Sequence, residues 1–220
     1  MNLRHIRAVL LDFDGTVART EIDFGAMRGD VRRLAESEGV PPELLDGRWV
    51  LEMVAAGREH LGDSTPTARR FAAAAAAAIL AIELEAADRA RLFPGVAEGL
   101  VELERRGIKV GIVTRNCRQC VRRVRARHSF ACDAILTRDE VPNVKPHRDH
   151  LLAALRELGC SADEAVMVGD HVSDIISGRN AGLTTIGVLT SGSDPGELEQ
   201  AGADLILESA ALLPAHIPEL

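Results

Sequence analysis

Apolar residues recur along the chain in short continuous runs, and several runs end in a polar or acidic residue. The runs cover residues 8–13, 110–114, 134–137, 165–169, 184–189 and 204–207. A continuous apolar run, without alternation, is typical of a strand that is buried on both faces, as in a parallel sheet. The pattern therefore predicts six buried parallel strands.

Helical patterns lie between several of these strands. Residues 96–106, 150–158 and 174–180 repeat apolar side chains at spacings of three and four, and each stretch is followed closely by a glycine. Strands that alternate with helices are typical of a doubly wound, Rossmann-like α/β domain. We expect this α/β core to contain residues 1–18 and 91–220.

The stretch from about residue 20 to residue 90 breaks this alternation, because it holds no β-rich run. It reads as three or four helices, at roughly 24–38, 42–60 and 67–90, with Gly and Pro residues between them. We therefore predict an all-helical domain, residues 19–90, inserted into the α/β core.

Composition excludes several classes of protein. The chain is 46% apolar and 27% charged, which is ordinary for a soluble globular protein, and its net charge of −7 argues against nucleic acid as a partner. No signal peptide is evident, and the longest apolar run, residues 71–82, is shorter than the ~20 residues that a bilayer requires. We expect no membrane partner and a cytoplasmic location.

The four cysteines do not form a disulfide pattern in a chain of this length. Cys117 and Cys120 have the spacing of a zinc or redox pair, but a second such pair is missing. We interpret the cysteines as reduced thiols.

Polar residues follow the predicted strands where ligands bind in doubly wound folds. They are Asp12, Asp14, Thr114, Arg115, Asn116, Lys145, Asp170 and Asp174. Clustered carboxylates repel one another unless a cation lies among them, and hard oxygen ligands suit Mg²⁺. A lysine opposite the metal would leave a slot for a phosphate group.

Asp12 and Asp14 alternate at the end of the first strand, so they cannot share one role. One carboxylate can attack phosphorus and form an aspartyl-phosphate. The other can protonate the departing oxygen and then take a proton from the attacking water.

Four segments resemble the motifs of the haloacid dehalogenase superfamily of phosphohydrolases. They are DFDGT from Asp12, IVT ending at Thr114, VKP around Lys145, and VGDHVSD with Asp170 and Asp174. The resemblance covers about two-thirds of the chain. The helical insert is similar to the cap domain that follows the first motif in phosphoglycolate phosphatase-like members.

The resemblance implies roles for the residues that meet phosphate. Asp12 would be the nucleophile and Asp14 the general acid and base. The Thr114 hydroxyl and the Arg115 amide would bind phosphate, and Lys145 would steady both the phosphate and the nucleophile.

The resemblance also implies a Mg²⁺ site. Asp12 and Asp170 would bind the metal through their carboxylates, and Asp14 through its backbone carbonyl. Asp174 would act through water or orient Lys145, and Asn116 is a further candidate for binding substrate.

Other chemistries of the superfamily fit these residues less well. A dehalogenase does not need an acid at position 14, because halide leaves without a proton. Phosphonatases and sugar phosphomutases use a lysine in the cap, and residues 19–90 contain none. For a mutase, cationic residues could substitute, namely Arg28, Arg48, Arg58 or His60.

A non-enzymatic phosphoryl-receiving regulatory domain is a further alternative. Such domains are near half this length and place their acidic pair and their phosphorylated aspartate differently. We therefore expect a Mg²⁺-dependent phosphatase acting on a small phosphorylated metabolite, phosphoglycolate phosphatase-like, as a monomer or homodimer.

Overall fold

The computed structural model describes residues 3–219 of the 220-residue chain. Six strands form one sheet in the order β5-β4-β1-β6-β7-β8, and all neighbouring pairs are parallel. This confirms the predicted doubly wound α/β fold. The strands, in chain order, are β1 (Ala8–Leu11), β2 (Ala18–Arg19), β3 (Arg91–Leu92), β4 (Lys109–Val113), β5 (Ala134–Leu136), β6 (Ala165–Gly169), β7 (Thr184–Val188) and β8 (Leu205–Leu207).

The helices of the described residues lie between these strands, except for the last, which follows β8. In residues 3–219 no helix combines the length and the apolar composition that crossing a membrane requires. The helices are α1 (Phe24–Ser37), α2 (Val50–His60), α3 (Pro66–Arg89), α4 (Val96–Arg105), α5 (Arg118–Arg125), α6 (Asp149–Leu158), α7 (Val172–Ala181), α8 (Pro195–Ala201) and α9 (Leu213–His216).

The central strands are buried along their whole length. All residues of β1 and of β6 are buried, as continuous apolar runs require in a sheet with covered faces. The first strand is shorter than predicted: β1 ends at Leu11, and Asp12 and Phe13 lie beyond it. The reason is a turn, in which the Gly15 N–H donates to Ala18 O at 2.8 Å.

The chain divides into two compact units. One unit contains Glu21–Arg89, and the other contains Met1–Thr20 and Ala90–Leu220. The sequence places these boundaries after residues 18 and 90. The difference comes from a short antiparallel ribbon of β2 and β3 in the α/β unit, with Ala18 opposite Leu92. Two-residue strands are too short to give a hydrophobic period.

The helical unit has a hydrophobic core of its own. Met27, Val31, Met53, Phe71 and Ile79 are among the buried residues that α1, α2 and α3 contribute to it.

The helical stretch predicted at roughly 42–60 is divided into two elements. A 3₁₀ turn covers Pro42–Leu44, and α2 begins only at Val50. Between them Gly47 has φ 69°, a left-handed conformation that favours glycine and interrupts a right-handed helix.

Candidate active site

The predicted site residues lie in segments that follow parallel strands. In the sheet β1 lies between β4 and β6, so the segments that leave these strands meet at one edge. Lys145 lies in the loop between β5 and α6. The structure brings together seven of the eight predicted residues, namely Asp12, Asp14, Thr114, Asn116, Lys145, Asp170 and Asp174.

We use the term charged cluster for Asp12, Lys145, Asp170 and Asp174. Lys145 is 1% exposed, and its Nζ lies 2.6 Å from Asp12 Oδ1 and 2.7 Å from Asp174 Oδ1. Burial acts to lower the pKa of Lys145, but the charges of Asp12 and Asp174 outweigh burial and raise this pKa above its ordinary value. Lys145 therefore stays charged and bridges two carboxylates.

The carboxylates of the charged cluster suit a divalent cation. One oxygen from each of Asp12, Asp170 and Asp174 lies within 4.8 Å of the other two. Burial and then the Asp174 charge raise the pKa of Asp170 to about 6, and burial raises the pKa of Asp12 despite Lys145. Three carboxylates beside one ammonium carry surplus negative charge. Crowded, hard oxygen donors of this kind fit Mg²⁺.

Asp14 has different neighbours, and we use the term neutral-donor cluster for Asp14, Thr20, Thr114 and Asn116. Thr114 Oγ1 donates to Asp14 Oδ2 at 3.2 Å, and Asn116 Nδ2 lies 3.1 Å from both carboxylate oxygens. Burial raises the pKa of Asp14, although hydrogen bonds from Thr20, Asn116 and Thr114 act to lower it. Asp14 therefore holds a proton more readily than an exposed aspartate.

The side chain of Asn116 is engaged at both ends of its amide. Nδ2 donates to Asp14, and Oδ1 accepts from the Cys117 N–H at 2.8 Å. Its backbone N–H donates to Thr114 Oγ1 at 3.0 Å. In this arrangement Asn116 orients Asp14 and Thr114. The phosphate contacts predicted for Asn116 and for the Arg115 amide stay predictions.

Gly15 and Thr16 shape the site around Asp170. Gly15 has φ 91°, and a Cβ there would lie 2.3 Å from Asp170 Oδ2, so both the turn and the close approach require glycine. Thr16 is fully buried, and its Oγ1 donates to Asp170 Oδ1 at 3.1 Å. The DFDGT segment therefore positions a carboxylate that follows β6 as well as its own.

Asp174 is held in the first turn of α7. The His171 N–H donates to Asp174 Oδ2 at 3.1 Å, while Oδ1 faces Lys145. The His171 ring accepts from the Ser173 N–H at 3.2 Å and so caps the same helix. Of the two roles expected for Asp174, this geometry favours the orientation of Lys145.

Sequence reasoning missed three residues of the site. Thr16 is part of DFDGT but had no role assigned, and Thr20 belongs to no motif. His150 was read only as the start of a helix, whereas it is fully buried and contacts the Lys145 backbone. A histidine next to apolar helix positions, five residues after Lys145, is the signal that could have identified it.

A family model described as haloacid dehalogenase-like hydrolase matches residues 9–188. This range includes all four motif segments and most of the chain. The chain therefore belongs to the haloacid dehalogenase-like hydrolases.

The relatives of this chain include a protein that is named a pyrophosphatase. Pyrophosphatase PpaX from Bacillus cereus strain AH820 is 40% identical over 123 residues, which cover 54% of this chain and 56% of PpaX. The match therefore spans about half the length of the curated relative.

Solved structures match over almost the whole chain. CbbY from Rhodobacter sphaeroides in complex with phosphate is 28% identical, with a TM-score of 0.64 and coverage of 95% of this chain and 96% of CbbY. A hydrolase from Pseudomonas syringae is 25% identical, with a TM-score of 0.69 and coverage of 96% and 97%.

Proposed function

We propose that the protein is a Mg²⁺-dependent phosphatase that hydrolyses small phosphomonoesters through an aspartyl-phosphate on Asp12. The observation that carries the proposal is a contrast between two carboxylates that are two residues apart. Asp12 is ion-paired to buried Lys145, whereas Asp14 accepts hydrogen bonds from Thr114 and Asn116. A nucleophile must be ionised and a general acid must hold a proton. Burial raises the pKa of both carboxyl groups; the ion pair with Lys145 opposes this shift at Asp12, whereas only neutral groups donate to Asp14, so Asp12 is the better candidate for attack and Asp14 the better candidate to hold a proton.

In the proposed mechanism Asp12 attacks the phosphorus atom and the ester oxygen departs. Lys145 holds the Asp12 carboxylate in place and stays charged beside the phosphate oxygens. Asp12 and Asp170 through their carboxylates, and Asp14 through its backbone carbonyl, would hold Mg²⁺, which would supply positive charge to the phosphoryl group when bound. Asp174 would orient Lys145 beside this site.

Asp14 would give its proton to the departing oxygen, which needs protonation when the alcohol is a poor leaving group. The Asp14 carboxylate then takes a proton from the water that attacks the aspartyl-phosphate, and inorganic phosphate leaves. Thr114 and Asn116 keep the Asp14 carboxyl oriented during both steps.

The substrate class is proposed as a small phosphorylated metabolite, with phosphoglycolate as the first compound to test. A second candidate is inorganic pyrophosphate, because the relative at 40% identity is named a pyrophosphatase. A sugar phosphomutase is less well supported, since residues 19–90 contain no lysine. We also propose that residues 19–90 act as a cap that selects the substrate of a core formed by 1–18 and 91–220.

The proposal is tested by steady-state phosphate release from p-nitrophenyl phosphate with Mg²⁺. We expect many turnovers per chain, loss of activity in EDTA and recovery with added Mg²⁺. A single turnover would favour a phosphoryl-receiving domain, and activity that resists EDTA would contradict the metal requirement. A panel of phosphoglycolate, pyrophosphate and β-glucose 1-phosphate, compared by kcat/KM, then identifies the substrate class.

A further inference from the structure

His150 is a fully buried polar residue that has no part in the mechanism above. It lies in the first turn of α6, one turn beyond the loop that carries Lys145, and its relative exposure is 0%. A buried imidazole without partners is costly, so its hydrogen bonds indicate what it does.

The His150 ring links two segments of the site. The Lys145 backbone N–H donates to His150 Nδ1 at 3.3 Å, and His150 Nε2 lies 3.2 Å from Leu136 O. The Thr114 N–H donates to the same Leu136 oxygen at 2.9 Å. A carbonyl oxygen has two lone pairs, so it can accept both bonds. The chain of bonds therefore runs from Lys145 through His150 and Leu136 to Thr114.

These contacts define which nitrogen of the His150 ring carries the hydrogen. A backbone N–H can only donate, so Nδ1 must accept and Nε2 must carry the hydrogen that goes to Leu136. Burial, together with the charge of Lys145, lowers the pKa of His150 to about 3. The ring is therefore neutral at the pH where a phosphatase would work, and its acceptor is preserved.

We propose that His150 is a positioning residue that sets Lys145 relative to Thr114, an inference that rests on the phosphatase function proposed above. Lys145 must place Nζ between two carboxylates from outside the strands, so its backbone needs an anchor. Leu136 ends β5, which pairs with β4, and that strand leads directly to Thr114. His150 thus ties the loop to the sheet edge that carries the phosphate-binding residues.

Three substitutions separate the two hydrogen bonds. In H150N the amide oxygen occupies the place of Nδ1 and can accept from Lys145, whereas in H150Q the amide nitrogen occupies the place of Nε2 and can donate to Leu136. H150L removes both bonds. We expect kcat on p-nitrophenyl phosphate to fall by about tenfold to 100-fold in H150L, and by a smaller factor of about threefold to tenfold in H150N and in H150Q, because each of these keeps only one end of the link.

Two comparisons distinguish a positioning role from a loss of stability. One compares the change in kcat with the change in KM, and the other uses a control variant. His147 is an exposed loop histidine whose Nδ1 accepts from the Asp149 N–H at 3.2 Å, so H147N should leave kcat unchanged. We expect kcat to fall more than KM changes, and the order of kcat among the His150 variants to differ from the order of their Tm values. Wild-type kcat in H150L would overturn the inference, as would wild-type kcat in both H150N and H150Q.

Wild-type controls keep the two proposals apart. A wild-type protein without turnover would overturn the phosphatase function, whereas an active wild type with unaffected His150 variants would overturn only this inference. If H150Q and H150L do not fold, ¹⁵N NMR of the wild-type imidazole decides the matter. A neutral ring with hydrogen on Nε2 at about pH 6 supports the inference, and hydrogen on Nδ1 overturns it.

Discussion

Asp12 and Asp14 are two residues apart, yet Asp12 belongs to the charged cluster and Asp14 to the neutral-donor cluster. Asp12 faces an ammonium at 2.6 Å, while Asp14 faces a hydroxyl and an amide at 3.1–3.2 Å. Burial raises the pKa of both carboxyl groups, but at Asp12 a cation in direct contact opposes this shift, whereas at Asp14 hydrogen bonds from neutral donors oppose it. The comparison shows how one short segment can supply two carboxyl groups with different partners, one paired with a cation and one held by neutral donors.

The difference arises from the strand that supplies each partner. Thr114 and Asn116, which hold Asp14, follow β4 on one side of β1. Asp170 and Asp174, which lie near Asp12, follow β6 on the other side. The strand order around β1 therefore gives each carboxylate a different set of partners. Substitutions at these positions can show whether the roles of the two carboxylates also differ.

Asp12→Asn should give the largest loss, because it removes the proposed nucleophile. We expect kcat to fall by on the order of 10³-fold or more with every substrate, while the protein stays folded. Phosphate release and circular dichroism on the same sample provide the measurement. Turnover near the wild-type rate would remove Asp12 from the mechanism.

Asp14→Asn should give a loss that depends on the leaving group. An alkyl phosphate needs a proton on its departing oxygen, so we expect about a 10³-fold decrease in kcat, but only about a tenfold decrease with p-nitrophenyl phosphate. Asp12→Asn, in contrast, should affect both substrates equally. Equal losses for both substrates in Asp14→Asn would mean that the two carboxylates do not have separate roles.

Lys145→Arg should lower kcat/KM by about 100-fold, although the charge is kept. Lys145 is 1% exposed and lies between Asp12 and Asp174, so a planar guanidinium lacks room and would displace the nucleophile. The matched control is Lys109→Arg, a half-exposed lysine paired with Asp133, which should keep full activity. Near-normal kcat/KM in Lys145→Arg would mean that only the charge matters.

Asp170→Asn should give the smallest of these effects. It is a gain in the stability of the metal-free protein, whereas the substitutions above reduce activity. The folded-state pKa of about 6 lies above the ordinary value of 3.8, so ionised Asp170 destabilises the metal-free fold above about pH 6. In EDTA at about pH 7 we expect the Tm of the variant to exceed that of the wild type by about 3 °C.

The gain should shrink as the pH falls below about 6, where Asp170 of the folded wild type becomes protonated, and should disappear below the ordinary pKa of 3.8, where Asp170 of the unfolded chain is protonated as well. With Mg²⁺ present the order of the Tm values should reverse, since the wild type alone keeps its full set of ligands. Scanning calorimetry with and without Mg²⁺ checks both points. A metal-free variant that is less stable than the wild type at about pH 7 would contradict the prediction.

Local sequence patterns predict a secondary-structure element correctly where the contacts that determine the element are close in sequence. The buried strands follow from continuous apolar runs, and β6 has the predicted bounds, Ala165–Gly169. The same reasoning failed between residues 42 and 50, where Gly47 interrupts a pattern that looks helical. It also missed the β2–β3 ribbon, because pairing between Ala18 and Leu92 leaves no periodic signal in either segment.

The sequence by itself determined the α/β fold, the helical insert and the eight polar residues that follow the strands. Only the tertiary structure decided which polar groups meet: Lys145 with Asp12, 133 residues apart, and Thr114 with Asp14, 100 residues apart. It also decided that His150 faces Lys145 and Leu136. The reason is physical: the apolar period of a segment is a local property of the chain, whereas the pKa and the role of a buried side chain depend on partners that folding brings to it.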